Sequence, residues 1–271
     1  MHNFKKPLYS VYPRMYCSGT VYVNDVPVVD WYGDETKDGG FGGDTMINQA
    51  LLQSGKYTVV GKMYPRLGKT VLDEDDTMSV DFFCADAENW KASRSVFRPK
   101  IESPWDGLST EIKYPHFEIV GEIEAELPFV LDGWQNSVDL KDMKKEDLFD
   151  EVLKYYRQIR SVLLEHNAGK YLEMSKEKME LQEQALYYTE DRKKSFLAGA
   201  DQLFSQNLEV EELNEADLRL EIIGYGKLVR LMRKDGMQPL QFKSPDIEKQ
   251  SNIELEVKLH MRTKEKGFSI I

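Results

Sequence analysis

Two cysteines, Cys17 and Cys84, are the only thiols in 271 residues, and their separation fits no metal-binding spacing. Two free thiols in a reducing compartment is the simplest expectation, with a Cys17–Cys84 disulfide left open. Histidine is equally scarce. His2, His116, His166 and His260 stand apart, with no H-x-E or H-E-x-x-H pair, so neither a metal site nor a cofactor is expected. No apolar run reaches the about 18 residues that span a bilayer. The N-terminus MHNFKKPLYSVYPRMY has no apolar stretch of signal-peptide length, which leads to the expectation of a cytoplasmic chain, or a periplasmic one had a signal peptide been removed. Basic charge is also short: 36 Lys and Arg stand against 47 Asp and Glu, for a net charge of -11. Nucleic-acid phosphates and anionic membranes both need clustered Lys and Arg, so neither is expected as a partner. A basic protein would be attracted.

No assembled catalytic motif is present either. Leu67-Gly68-Lys69-Thr70 ends like a phosphate-binding loop, but Met63 stands where the loop requires glycine, and Val71-Leu72-Asp73-Glu74-Asp75-Asp76 follows in place of a helix. Four carboxylates would repel a phosphate. The carboxylate- and glycine-rich stretch Asp34–Asp44 does not match the spacing of a twelve-residue calcium loop. No serine or cysteine nucleophile has a recognisable triad context, so no catalytic residue is assigned.

The remaining composition, 41% hydrophobic and 31% charged, is that of a globular protein long enough for two domains. Residues 1–138 carry 21 acidic against 13 basic side chains, and residues 1 to about 131 read as all-β. Thr20–Asn24, Tyr57–Tyr64, Met78–Phe83 and His116–Ile123 are short, β-branched or aromatic, and partly alternating. Turn-rich pieces at Gly33–Asp44, Pro65–Lys69 and Pro99–Gly107 separate them. This pattern favours an antiparallel β-sandwich or jelly roll over 1–134, with Asp132–Ser137 as linker.

From Leu140 the period becomes helical. Leu148, Phe149, Val152, Leu153, Tyr156, Ile159, Val162 and Leu163 form one stripe, which Asn167-Ala168-Gly169 ends. A second helix is expected over about 170–187. A third is expected over 190–206, with Thr189 as N-cap and Phe196, Leu197, Ala200, Leu203 and Phe204 facing inward. Near Asp217 the rhythm changes again, and 218–224, 227–233, 238–242, 253–262 and 268–271 read as strands, with a bend at Gly224-Tyr225-Gly226. The fold class is therefore α+β, with a second domain over 138–271 in which three helices precede a curved antiparallel sheet.

Candidate sites are few. Asp73, Glu74, Asp75 and Asp76 form a compact acidic loop suited to a basic protein partner, although such a run is commonly just solvated. Tyr187, Tyr225 and His260 are candidates for a pocket lined by the late strands, with Tyr188 and Asp191 nearby; each also fits a core role with a satisfied polar group. Trp31, Tyr32, Phe41, Trp90 and Trp105 would permit sugar stacking on a sandwich face.

Ile47-Asn-Gln-Ala-Leu-Leu-Gln-Ser-Gly-Lys-Tyr-Thr-Val-Val60 is similar to a segment of jelly-roll accessory domains. Three helices before a bent meander resemble the nuclear-transport-factor-like cone fold. Together they resemble two-domain bacterial proteins, some associated with immunity against secreted or contact-delivered toxins. The resemblance implies a non-enzymatic protein that neutralises a toxin by binding it, with a homodimer left open. The alternative is a small-molecule-binding or enzymatic cone domain with an accessory, carbohydrate-binding sandwich.

Overall fold

The computed structural model describes residues 4–105 and 113–271, so the far end of the Pro99–Gly107 segment lies outside the described residues. Helices and several antiparallel sheets make up the chain, which divides into two compact units. One comprises Met1–Leu131 with Ala185–Tyr187, and the other Asp132–Gln184 with Tyr188–Ile271.

The first unit holds strands β1 (Pro7–Met15), β2 (Ser18–Val23), β3 (Val26–Trp31), β4 (Phe41–Gly42), β5 (Thr45–Met46), β6 (Gly55–Tyr64), β7 (Met78–Asp86), β8 (Ser95–Glu102) and β9 (Phe117–Ala125), with short helices α1 (Asn48–Leu51) and α2 (Trp90–Ser93). They form two antiparallel sheets, β4-β1-β7-β8 with β5 also on β1, and β3-β2-β6-β9. Alternation decides which side chains enter the core. In β6, Tyr57, Val59 and Met63 are buried while Lys56, Thr58 and Tyr64 are exposed. Gly61 keeps that inner row open, because a Cβ there would lie 2.5 Å from Met78 Sδ. Strand β8 runs through Pro99 to Glu102, where a turn was expected from the sequence. Its place at the sheet edge explains this, since an edge residue can do without its N–H. Cys17 and Cys84 are both buried free thiols; burial pushes the first up to about 12 and the second up to about 11.

The helices of the second unit are α3 (Lys145–Leu164), α4 (Ala168–Met174), α5 (Lys176–Ala185, whose last residue counts with the first unit) and α6 (Glu190–Ser205). The expected stripe of α3 is buried from Leu148 to Leu163. Asn167 does not end that helix. His166 turns the chain with φ 49, and the Asn167 side chain caps α4 by accepting from Lys170 N at 2.9 Å. The expected second helix is broken at Ser175 into α4 and α5. Thr189 caps α6 as expected, but Phe196 and Leu197 are exposed and only Phe204 of the expected inner face is fully buried.

Strands β10 (Leu218–Ile223), β11 (Leu228–Arg233), β14 (Leu259–Met261) and β15 (Phe268–Ile270) form an antiparallel sheet in that order, and β12 (Gln241–Phe242) pairs with β13 (Ile253–Glu254). The expected strand over 253–262 is split because Tyr156 intervenes. Its hydroxyl accepts from Leu231 N at 3.1 Å and donates to Val257 O at 2.8 Å, bridging backbone groups that a continuous ladder would join directly. Gly224-Tyr225-Gly226 forms the turn from β10 to β11, with φ of 58, 56 and 97. Among the described residues no helix is long and apolar enough to cross a membrane.

Candidate functional site

The sheet of the second unit has two unlike faces. Val229, Leu231, Leu259, Met261 and Ile270 join the core built on α3. The alternate residues point the other way, and there Glu221 pairs with Arg230 across β10–β11, and His260 with Ser269 across β14–β15. The polar row continues at Arg262, and α5 contributes Glu177.

His260 is fully buried and held from both sides. Ser137 Oγ lies 2.8 Å from Nδ1, and Glu177 Oε2 lies 2.9 Å from Nε2. Glu177 also accepts from Arg262 Nε at 2.6 Å and from Ser269 Oγ at 2.9 Å. Arg262 in turn donates to Asp132 Oδ1 at 3.0 Å, to Gly133 O at 2.6 Å and to Asp132 O at 2.8 Å. A carboxylate only accepts, so the network assigns the proton to Nε2 and leaves Nδ1 to accept from Ser137. Burial pushes the His260 pKa below its ordinary 6.5, against the opposing pull of Glu177. Burial alone would raise the Glu177 carboxyl, but His260, Arg262 and Ser269 hold it below its ordinary 4.5.

Ser137, His260 and Glu177 stand in the hydrogen-bond order of an activated serine, an arrangement that sequence reasoning missed. The surroundings do not complete such a site. Ser137 N is bonded to Trp134 O at 3.0 Å and Val138 N to Met261 O at 2.8 Å, so neither amide is left for a developing oxyanion. The Arg262 fork is occupied, and Ser137 is itself buried. The constellation acts as a clasp that ties residues 132–137 to β14. Its pH response follows from the two depressed pKa values. The unfolded state binds protons more readily at both groups, so stability rises with pH wherever they titrate. The second unit is expected to hold full stability above the ordinary histidine value of 6.5, lose some as pH falls through the folded His260 pKa, and lose more below 4.5 as Glu177 protonates. Urea midpoints measured from pH 8 to 4 check this, and His260→Gln should flatten the upper step; an unchanged upper step would refute it.

The three candidate pocket residues have different surroundings. Tyr225 is exposed at the β10–β11 turn, His260 is buried in the clasp, and Tyr187 counts with the first unit. There the Tyr187 ring centroid lies 5.7 Å from that of Phe129, and burial pushes its hydroxyl pKa up. Trp105 is buried, and Trp31 and Trp90 are half-buried, so these three do not offer the pair of exposed rings that sugar stacking needs. Among the described residues no group of three His, Cys, Asp or Glu is placed to hold a metal ion.

Comparison with known proteins finds no matching family model, curated protein or solved structure. The functional reading therefore rests on geometry, and the acidic loop of the first unit supplies most of it. Asp76 is a correction to the sequence reading: its side chain is fully buried and holds the loop together instead of facing outward. It accepts from Asp73 N at 2.9 Å and Lys69 Nζ at 3.3 Å, with Arg66 Nε 3.0 Å away. Its carbonyl accepts from Trp105 Nε1 at 2.8 Å. Asp73 is engaged by Lys69 at 2.6 Å and accepts from Asp75 N at 3.1 Å, which leaves Glu74 and Asp75 as the exposed carboxylates. Arg66 joins this loop to its neighbours by donating to Asp75 O at 2.8 Å and Tyr16 O at 2.7 Å. Leu72 N donates to Tyr114 O at 2.7 Å. Around it stand Tyr16, Tyr64, Leu67, Val71 and Tyr114, each between 37% and 53% exposed.

Proposed function

We propose that this chain is a non-enzymatic binding protein that docks a basic protein on the Asp73–Asp75 end of its first unit, as an immunity protein would occlude a toxin. We also read that unit as a β-sandwich of jelly-roll type and the second as a cone-like domain; the two antiparallel sheets support the first reading and the helices preceding a four-stranded sheet support the second. The observation that carries the binding function is the grouping of exposed tyrosine and aliphatic side chains around a pinned acidic loop. Tyrosine brings large contact area at small entropic cost, and grouped exposed apolar surface marks interaction sites. Carboxylates in a protein of net charge -11 would steer a cationic partner toward it. Catalysis has weaker support, because the one Ser–His–Glu constellation described above is enclosed and its neighbouring amides are occupied.

A photo-crosslinking side chain at Tyr114 tests the reading, with Val96 and Val130 as exposed control positions in the same unit. Expected is a basic protein captured from position 114 and not from the controls. Changing Glu74 and Asp75 to Ser should slow its association about tenfold at low salt and flatten the salt dependence. Equal capture at all three positions, or an unchanged association rate, would remove the proposal. Capture of a second copy of this chain would make the patch a dimer face instead.

A further inference from the structure

Helix α6 is far less covered than its length calls for. Helix α3 buries seven side chains in 20 residues, whereas α6 buries only Phe204 in 16. A helix of that length is marginal by itself in water and takes most of its stability from packing one face. The C-terminal end of α6 has such packing, with the Phe204 ring centroid 5.4 Å from those of Tyr171 and Phe242. Nearer its start the helix is tied by Lys193, which Glu183 holds at 3.0 Å and Glu190 at 3.1 Å. Further round the helix Lys194, Leu197, Ala198 and Asp201 follow one another at helical spacing, and all four are exposed. Leu197 is a large apolar side chain left 39% in water. Among the described residues neither Lys194 nor Asp201 has an ion-pair partner.

We propose that this face of α6 is a self-association surface, on which a second copy of the chain packs its own α6 antiparallel. The order of the side chains selects that occupant. About a two-fold axis crossing between Leu197 and Ala198, Lys194 of each copy lies opposite Asp201 of the other, and Leu197 of each lies opposite Ala198 of the other. A parallel arrangement sets lysine beside lysine and aspartate beside aspartate, so charge favours the antiparallel one. A foreign partner would have to reproduce this order; a second copy already carries it. The small Ala198 leaves a hollow for the opposing Leu197, as interdigitating helices require. Exposed ion pairs contribute little each, so Lys194 and Asp201 set the orientation while the apolar centre supplies most of the affinity. A single helix pair is small for an interface, and the dimer is expected to be weak, with a Kd on the order of 10–100 μM.

The surface belongs to the second unit and does not rest on the partner reading of the first. Sedimentation velocity of the full chain, from low micromolar to near-millimolar concentration, tests it, and a monomer–dimer equilibrium is expected. Leu197→Glu should weaken the dimer about tenfold or more, because it sets two carboxylates beside the axis. Lys194→Asp and Asp201→Lys each place like charges opposite one another twice, and each should weaken it about fivefold. Both changes in one chain restore opposite charges and should return the dimer to within about twofold of its original strength. Mixing the Lys194→Asp chain with the Asp201→Lys chain should give a mixed dimer tighter than either chain forms with itself. A monomer at every concentration overturns the proposal. So does a dimer indifferent to Leu197→Glu and to both charge changes, since the copies would then meet elsewhere. Single charge changes that weaken the dimer with neither recombination restoring it would overturn the antiparallel pairing.

Discussion

Glu177→Ala is expected to destabilise the second unit by about 3 kcal/mol, a large effect for one side chain on a helix surface. Glu177 is the shared acceptor for His260, Arg262 and Ser269. Without it, the His260 N–H is buried with no acceptor, and the Arg262 guanidinium keeps only the Asp132 and Gly133 contacts. Unmet buried donors cost about 1–3 kcal/mol each, more when charged. The Glu177 side chain is 30% exposed, and that places the expectation at the lower end of the range for breaking a buried pair. Glu177→Gln keeps an acceptor but loses the charge, so it should cost about half as much. Glu180, whose side chain is 57% exposed, is the control on the same helix and should cost under about 1 kcal/mol when replaced by Ala. Thermal and urea unfolding measure both. A double substitution with Arg262→Ala should cost clearly less than the sum, because the two remove the same bond. An effect of Glu177→Ala equal to that of Glu180→Ala would mean the clasp contributes nothing.

What sequence could disclose was whatever depends on periodicity. The stripe of α3 and the alternation of β6 were legible because each buries a continuous face, and burial of one face imposes a period on the side chains. The clasp was not legible. Ser137, Glu177 and His260 come from a linker, a helix and a strand, and no local pattern ties residues so far apart. One signal was present in the 256–262 segment: Glu256, Lys258, His260 and Arg262 alternate with apolar residues, which marks a polar face that needs partners. The face of α6 went wrong for the converse reason. Phe196 and Leu197 have helical spacing with Phe204, but spacing alone does not say how far along its length a helix is covered. The acidic loop is legible as a run of charge, yet a run of charge does not separate the buried Asp76 from the exposed Glu74 and Asp75.

Asn48 is the clearest case of a residue whose role periodicity hides, and it carries the second large expectation: Asn48→Ala should destabilise the first unit by about 3 kcal/mol. In sequence it sits in a stretch that reads as the approach to a strand; in the fold it opens the single turn α1 and is fully buried. Its Oδ1 accepts from Tyr9 N at 2.8 Å, while Nδ2 donates to Pro7 O at 2.8 Å and to Ala185 O at 3.0 Å. All three partners are main-chain groups of the same unit, so one amide replaces ladder bonds that β1 lacks at this end. Removing it takes away three hydrogen bonds of about 1 kcal/mol each and leaves a buried N–H without an acceptor. Asn48→Asp is more informative than alanine. The carboxylate can still accept from Tyr9 N, but it faces two carbonyl oxygens with no proton to offer, so it should destabilise at least as much at neutral pH and recover part of the loss as acid protonates it. Gln49→Ala is the neighbouring control, since its amide makes one bond, to Met46 O at 3.0 Å, and should cost under about 1 kcal/mol. If Asn48→Ala and Gln49→Ala prove equal in urea unfolding, the three bonds of Asn48 do not anchor the unit.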